Sequence, residues 1–270
     1  MDAIAHALRR ACAALLGPLD SLPPALALSA VAAVTALVML AIVKLASPQK
    51  LIARARDRMA ACIYEMRLFL DAPGRVLAAQ ARLLGWSGIY LAALLPAALV
   101  LTPPLGLLYL DLETRHGLAP LPAPASVVLR VELAPGKETG PVTVLATGPV
   151  RVTAPLLRAP DEPAVYARLE IAKPGTHEVT VTAGAATVTK RLVADPGATR
   201  VAPERRGGWG HLVSLGDEPP PEEGAIRSIS VTHPERESAV VGLAMPWWLY
   251  WLGSATILAL LLRRRLGVAM

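Results

Sequence analysis

The side chains best suited to chemistry are few and scattered. His6, His116, His177, His211 and His233 share no metal-ligand spacing, and Cys12 and Cys62 are the only cysteines. There is no G-x-S-x-G elbow, no phosphate-binding P-loop and no H-E-x-x-H pair. Gly207-Gly208-Trp209-Gly210 is glycine-rich, but it neither follows a strand pattern nor opens a helix. The acidic pairs Asp161-Glu162, Asp217-Glu218 and Glu222-Glu223 lie near prolines and read as solvated loop residues. The expectation is a non-enzymatic protein with no catalytic residues, no metal and no cofactor.

Other elements dominate the chain. Apolar residues make up 54% and charged residues 18% of the 270 positions. Charge is absent from Ser21 to Val43, from Leu83 to Leu110 and from Ser238 to Leu262. Each run exceeds the roughly 20 residues that cross a hydrocarbon core about 30 Å thick. Three spanning helices are therefore expected. The first run is too long for the apolar part of a cleavable leader and is read as an anchor.

The net charge of +6 divides unevenly. Residues 111–245 carry fourteen basic and sixteen acidic side chains, a balance of −2, so the remainder carries +8. The basic excess flanks the apolar runs, where it sets topology and attracts anionic lipid; no nucleic acid is implied. Lys44, Lys50, Arg54, Arg56, Arg58, Arg67, Arg75 and Arg82 separate the first two runs, and Arg263, Arg264 and Arg265 follow the third. The positive-inside rule puts both segments in the cytoplasm, with the N-terminus and residues 111–245 outside. Cys12 and Cys62 then lie on opposite sides, so no disulfide is expected. The Ala- and Arg-rich usage points to a bacterial source and hence to the inner membrane.

The boundaries follow from periodicity and turn residues. Residues 1–20 form an amphipathic segment, with Ile4, Leu8, Cys12 and Leu15 on one face, that either lies in the outer interface or packs on the protein. The first span is 22–46. A helical hairpin covers 47–85, with Ser47 as N-cap, Pro48 at the first helical position and Asp71-Ala72-Pro73-Gly74 as its turn. The second span, 86–110, holds Pro96, Pro103 and Pro104, which are expected to kink or divide it. Period-two alternation then marks strands at Val127–Leu133, Val142–Leu145, Val150–Thr153, Val165–Ile171, His177–Val181 and Ala186–Val193, with a further strand at Ile226–Val231. They place an all-β domain at 125–235, an immunoglobulin-like sandwich or a smaller open sheet, interrupted by a Pro/Gly-rich loop at 195–225. The third span, 243–263, opens with Trp247, Trp248 and Trp251 as interface anchors, and 264–270 is a cytoplasmic tail. The fold class is thus a three-span α-helical membrane protein with a cytoplasmic helical hairpin and an extracytoplasmic, immunoglobulin-like β domain.

Pro18-Leu19-Asp20-Ser21-Leu22-Pro23-Pro24 leads into an N-out span that ends in the basic hairpin opening Ser47-Pro48-Gln49-Lys50, which returns into a proline-bearing span. This plan resembles the YidC/Oxa superfamily of membrane insertases, particularly its three-span members, over residues 1 to about 116 and the last span. The resemblance implies non-covalent insertion or chaperoning of membrane proteins. It also implies a hydrophilic groove holding a basic side chain, for which Lys44 is the nearest candidate. Ser29, Thr35, Thr102 and Thr256 are candidate groove or client contacts, and Lys50, Arg54 and Arg58 are candidate docking residues on the hairpin. Partners would be the lipid bilayer and nascent membrane proteins or the ribosome. The alternative is an envelope scaffold whose helices anchor a β domain that binds an envelope protein.

Overall fold

The computed structural model describes residues 14, 16–136, 140–159, 162–208, 210–222, 224–236, 239–240 and 243–267. The chain divides into a helical unit, residues 25–106 and 248–270, and a β unit, residues 1–24 and 107–247. The amphipathic face expected within 1–20 lies almost wholly outside the described residues, as do Cys12, Asp161, Trp209 and Glu223. Gly17–Ser21 forms a 3-10 turn ahead of the first long helix.

Among the described residues there are four long helices: α1 (Pro24–Ala46), α2 (Gln49–Leu68), α3 (Pro73–Leu112) and α4 (Trp247–Leu266). Two of them, α1 and the stretch beginning at Pro73, are long and apolar enough to cross a membrane. α4 is uncharged only from Trp247 to Leu262, and its aromatic opening and Arg263–Arg265 close shorten its apolar stretch. Small side chains bring α1, α3 and α4 together: Ala36, Leu40, Val43, Ala97, Leu101 and Ala259 form one buried cluster. Close backbone approach over alanine is how helices associate where lipid removes the hydrophobic drive.

α3 differs from its expected form. The returning arm of the hairpin and the second span are one helix of 40 residues, and Pro96, Pro103 and Pro104 all lie inside it. All three prolines are exposed. Thr102 adds a hydroxyl donor to Ala98 O at 2.8 Å. The expected N-cap of α2 is also displaced by one residue. Pro48 O, not Ser47, accepts from the Leu51 and Ile52 amides, and Ser47 Oγ is buried without a partner.

The β unit contains β1 (Ala125–Leu133), β2 (Val142–Ala146), β3 (Val150–Val152), β4 (Leu157–Arg158), β5 (Ala164–Ile171), β6 (Thr176–Ala183), β7 (Ala186–Val193), β8 (Glu204–Arg206), β9 (Ile226–Val231), β10 (Ala239–Val240) and β11 (Leu243–Ala244). One antiparallel sheet runs β3-β5-β1-β9-β8, with β4 also on β5, and a second runs β2-β6-β7. Alternation explains the core. Leu129 and Val131 of β1, Leu169 and Ile171 of β5, and Val179 and Val181 of β6 are all fully buried in a single cluster fed by both sheets. Each such side chain contributes roughly 1.5–3 kcal/mol of burial. The β6–β7 hairpin turns through Gly184 at φ 60°, a left-handed conformation that glycine adopts without strain.

The segment expected to be a polar loop, 195–225, is partly structured and partly interior. It contributes β8 and a one-turn helix at Gly210–Val213, and Val201 and Ala202 are fully buried.

Candidate functional site

In the helical unit the candidate groove residues do not converge. Ser29 Oγ lies 2.7 Å from the Tyr250 hydroxyl, and Trp251 Nε1 donates to Thr35 Oγ1 at 3.2 Å. Both contacts tie α1 to α4. Lys44 is exposed, and its ammonium donates to Leu266 O at 2.9 Å. It therefore places positive charge on the carbonyl end of α4, where the helix dipole favours it. Thr102 and Thr256 are exposed. Thr102 is bonded to its own helix, so these five side chains serve packing, capping or open surface rather than one polar pocket.

The hairpin residues are arranged differently. Lys50, Arg54 and Arg58 recur every four residues on α2, so they form a single row, and all three are exposed. Ile52, Ala55 and Cys62 are the buried residues of α2. Arg82 Nη2 meets Glu65 Oε1 at 2.7 Å and Ser87 Oγ donates to Met59 Sδ at 3.3 Å, which pins α2 antiparallel to the start of α3. At the turn, the Arg75 guanidinium sits 4.7 Å from the centre of the Phe69 ring.

The aromatic anchors need correction. Only Trp248 presents its ring outward, at 42% exposure; Trp247 and Trp251 are buried. Trp251 is held inside because its indole N–H has an acceptor in Thr35, and Trp247 stacks at a tilt against Tyr109 with centroids 5.2 Å apart. An indole whose N–H is satisfied within the protein has no need of the headgroup layer.

The β unit holds a cluster that motif reading misses. Asp111, at the end of α3, accepts from Arg115 Nε at 2.8 Å and pairs with Arg200 at 2.5 Å. Arg115 also pairs with Asp20, and Arg200 Nη1 reaches Asp217 at 3.7 Å. Asp217 in turn binds Arg191 of β7 at 2.5 Å. An alternating chain of charge thus runs from the segment before α1, through the end of α3, to the edge of the β2-β6-β7 sheet. Beside it, Lys190 pairs with Glu218 and donates to Ala202 O, while Glu218 Oε1 accepts from the Arg191 amide at 2.8 Å. Burial pushes the Lys190 ammonium below its ordinary range, and the Glu218 carboxylate opposes that shift. Asp217 and Glu218 are therefore not solvated loop residues.

His233 is 6% exposed, with Nδ1 3.1 Å from Val231 O and Nε2 unpartnered. His177 Nε2 lies 2.9 Å from Lys173 O. Among the described residues no three histidine, cysteine or acidic side chains are placed to hold a metal ion. An open cavity of about 590 Å³ lies at the β6–β7 turn, and among the described residues Glu222 is the one ionisable side chain in a lining dominated by glycine and alanine.

Ion pairs of this kind fix geometry, and no nucleophile–base pair is among those in this cluster. Comparison with protein-family models, with curated proteins and with solved structures finds no match to this chain.

Proposed function

We propose that the chain is a three-span protein of the bacterial inner membrane, with the YidC/Oxa plan, that receives apolar segments of nascent membrane proteins. In this reading α1, α3 and α4 cross the bilayer, the α2–α3 hairpin is cytoplasmic and the β unit is outside. The observation that carries it is the hairpin. Its row of Lys50, Arg54 and Arg58 stays exposed beside a helix that continues without a break from the hairpin into the spanning run. Such a row suits an anionic partner, either the ribosome or a client with acidic flanks, and the continuous helix leads from that contact toward the membrane. The β unit is read as immunoglobulin-like. The order β3-β5-β1-β9 opposite β2-β6-β7 corresponds to D-E-B-A opposite C-F-G, with β9 in the A position.

A second reading, the envelope scaffold, rests on a different observation. Ser29, Thr35 and Lys44 are engaged in joining α1 to α4, which suits a closed anchor better than an open polar groove.

Insertion of a short-tailed, single-span client into proteoliposomes containing the full chain separates the two. Lys50→Glu, Arg54→Glu and Arg58→Glu together are expected to reduce insertion at least about tenfold, equivalent to about 1.4 kcal/mol of lost interaction. Insertion that is the same with the wild type, the triple variant and empty liposomes contradicts the insertase reading. If deletion of the β unit alone then reproduces the phenotype of removing the whole protein, the scaffold reading holds.

A further inference from the structure

The outward face of α3 repeats in heptads. Leu77, Leu84, Leu91 and Ala98 recur every seven residues, and all are exposed, the three leucines to 65%, 73% and 66%. Four residues after each come Ala81, Gly88, Leu95 and Thr102, also all exposed. These two rows are the d and a positions of one seam. The opposite side of the same helix is the side that packs: Ala79, Ala93 and Ala97 are buried. Within the helical unit α3 thus uses one face and leaves a complete second seam uncovered.

From this seam we infer that α3 is a self-association surface, pairing in parallel with α3 of a second copy of this chain. Three features select that occupant. The seam begins outside the hydrocarbon, because Leu77 lies between Arg75 and Arg82 and the uncharged run starts only at Leu83. Acyl chains cannot cover Leu77 and Ala81 there, whereas a second helix can. Next, leucine at d is the choice of parallel pairs, and Ala81 and Gly88 at a leave holes that let two backbones approach. A Cβ added at Gly88 meets nothing within 4 Å, so the hole is empty in the single chain. Finally, the seam repels no copy of itself. The flanking Ala78, Gln80, Gly85 and Ser87 are uncharged, while Arg75, Arg82 and the three prolines fall outside both rows. Copies in one membrane share one orientation, so identical d positions meet in register.

Single cysteines in the full Cys12→Ala/Cys62→Ala chain, oxidised in native membranes, test this. Leu77→Cys, Leu84→Cys and Leu91→Cys should give disulfide-linked dimers, and Arg75→Cys, Arg82→Cys and Ile89→Cys should not. Adding Gly88→Leu to Leu84→Cys should reduce the dimer about tenfold by filling the hole. Three results overturn the inference: no dimer at any seam position, equal dimer at seam and control positions, or seam crosslinks only to other polypeptides. The last would mean that a client helix occupies the seam. The inference rests on the membrane-crossing α3 of the proposed function, but none of these readouts depends on insertion activity, so loss of the dimer and loss of insertion are distinguishable.

Discussion

Lys190→Met is expected to destabilise the β unit by about 3–5 kcal/mol, because it leaves the Glu218 carboxylate buried without its counter-ion. Lys190 is fully buried and Glu218 is 9% exposed, so water cannot replace the lost ammonium. Methionine keeps the length and apolar volume of the lysine stem, which separates loss of charge from loss of packing. Lys190→Met/Glu218→Gln is the informative partner. Glutamine still accepts from the Arg191 amide but carries no charge, so most of the loss should be recovered. Hydrogen exchange of the β6 and β7 amides, followed by mass spectrometry on the full chain in lipid nanodiscs, reads both variants. Equal protection in the single and double variants would show that the charge pair is not the source of the effect.

Stability of the β unit should fall as pH is lowered from about 6.5 toward 4. Burial and the nearby Lys190 ammonium hold the His233 imidazole down to about 4, against an ordinary value of 6.5, with the Val231 carbonyl partly opposing them. In that window the unfolded chain takes up a proton that the folded chain refuses. The contribution is therefore intact above pH 6.5, declines through the window, and is fully lost once pH passes below the folded value. Two and a half units correspond to at most about 3 kcal/mol. His233→Gln should flatten this slope relative to wild type in thermal unfolding at pH 4.5, 5.5 and 7.5. An unchanged slope would place the proton uptake elsewhere.

These two residues also mark where the sequence was readable. In Val188-Thr189-Lys190-Arg191-Leu192, within the expected strand Ala186–Val193, the alternation puts Lys190 on the inward face with Val188 and Leu192, so its burial is legible in the sequence. Its partner was not legible. Glu218 lies in a proline-flanked segment far along the chain, and only the fold brings it to β7. The strands themselves follow their alternation closely, as does the hairpin turn at Asp71–Gly74. The 40-residue α3 was obscured because proline in a helix predicts a break in water. Here all three prolines are exposed, and the helix runs through them without a break. Ser29 and Thr35, read from the sequence as candidate groove residues, meet aromatic partners, Tyr250 and Trp251, across the α1–α4 contact, and neither partner is legible from local sequence.

The proposed plan depends on α3 and α4 each crossing the membrane, so that the β unit faces away from the hairpin and the tail. Single cysteines at Arg58, Thr187 and Gly267 in the Cys12→Ala/Cys62→Ala chain, treated with a membrane-impermeant maleimide, measure this directly. The expected result is labelling of Thr187→Cys in intact spheroplasts, with Arg58→Cys and Gly267→Cys labelled only after permeabilisation. Labelling of Arg58→Cys and Thr187→Cys from the same side would contradict the crossing of α3, and labelling of Gly267→Cys together with Thr187→Cys would contradict that of α4.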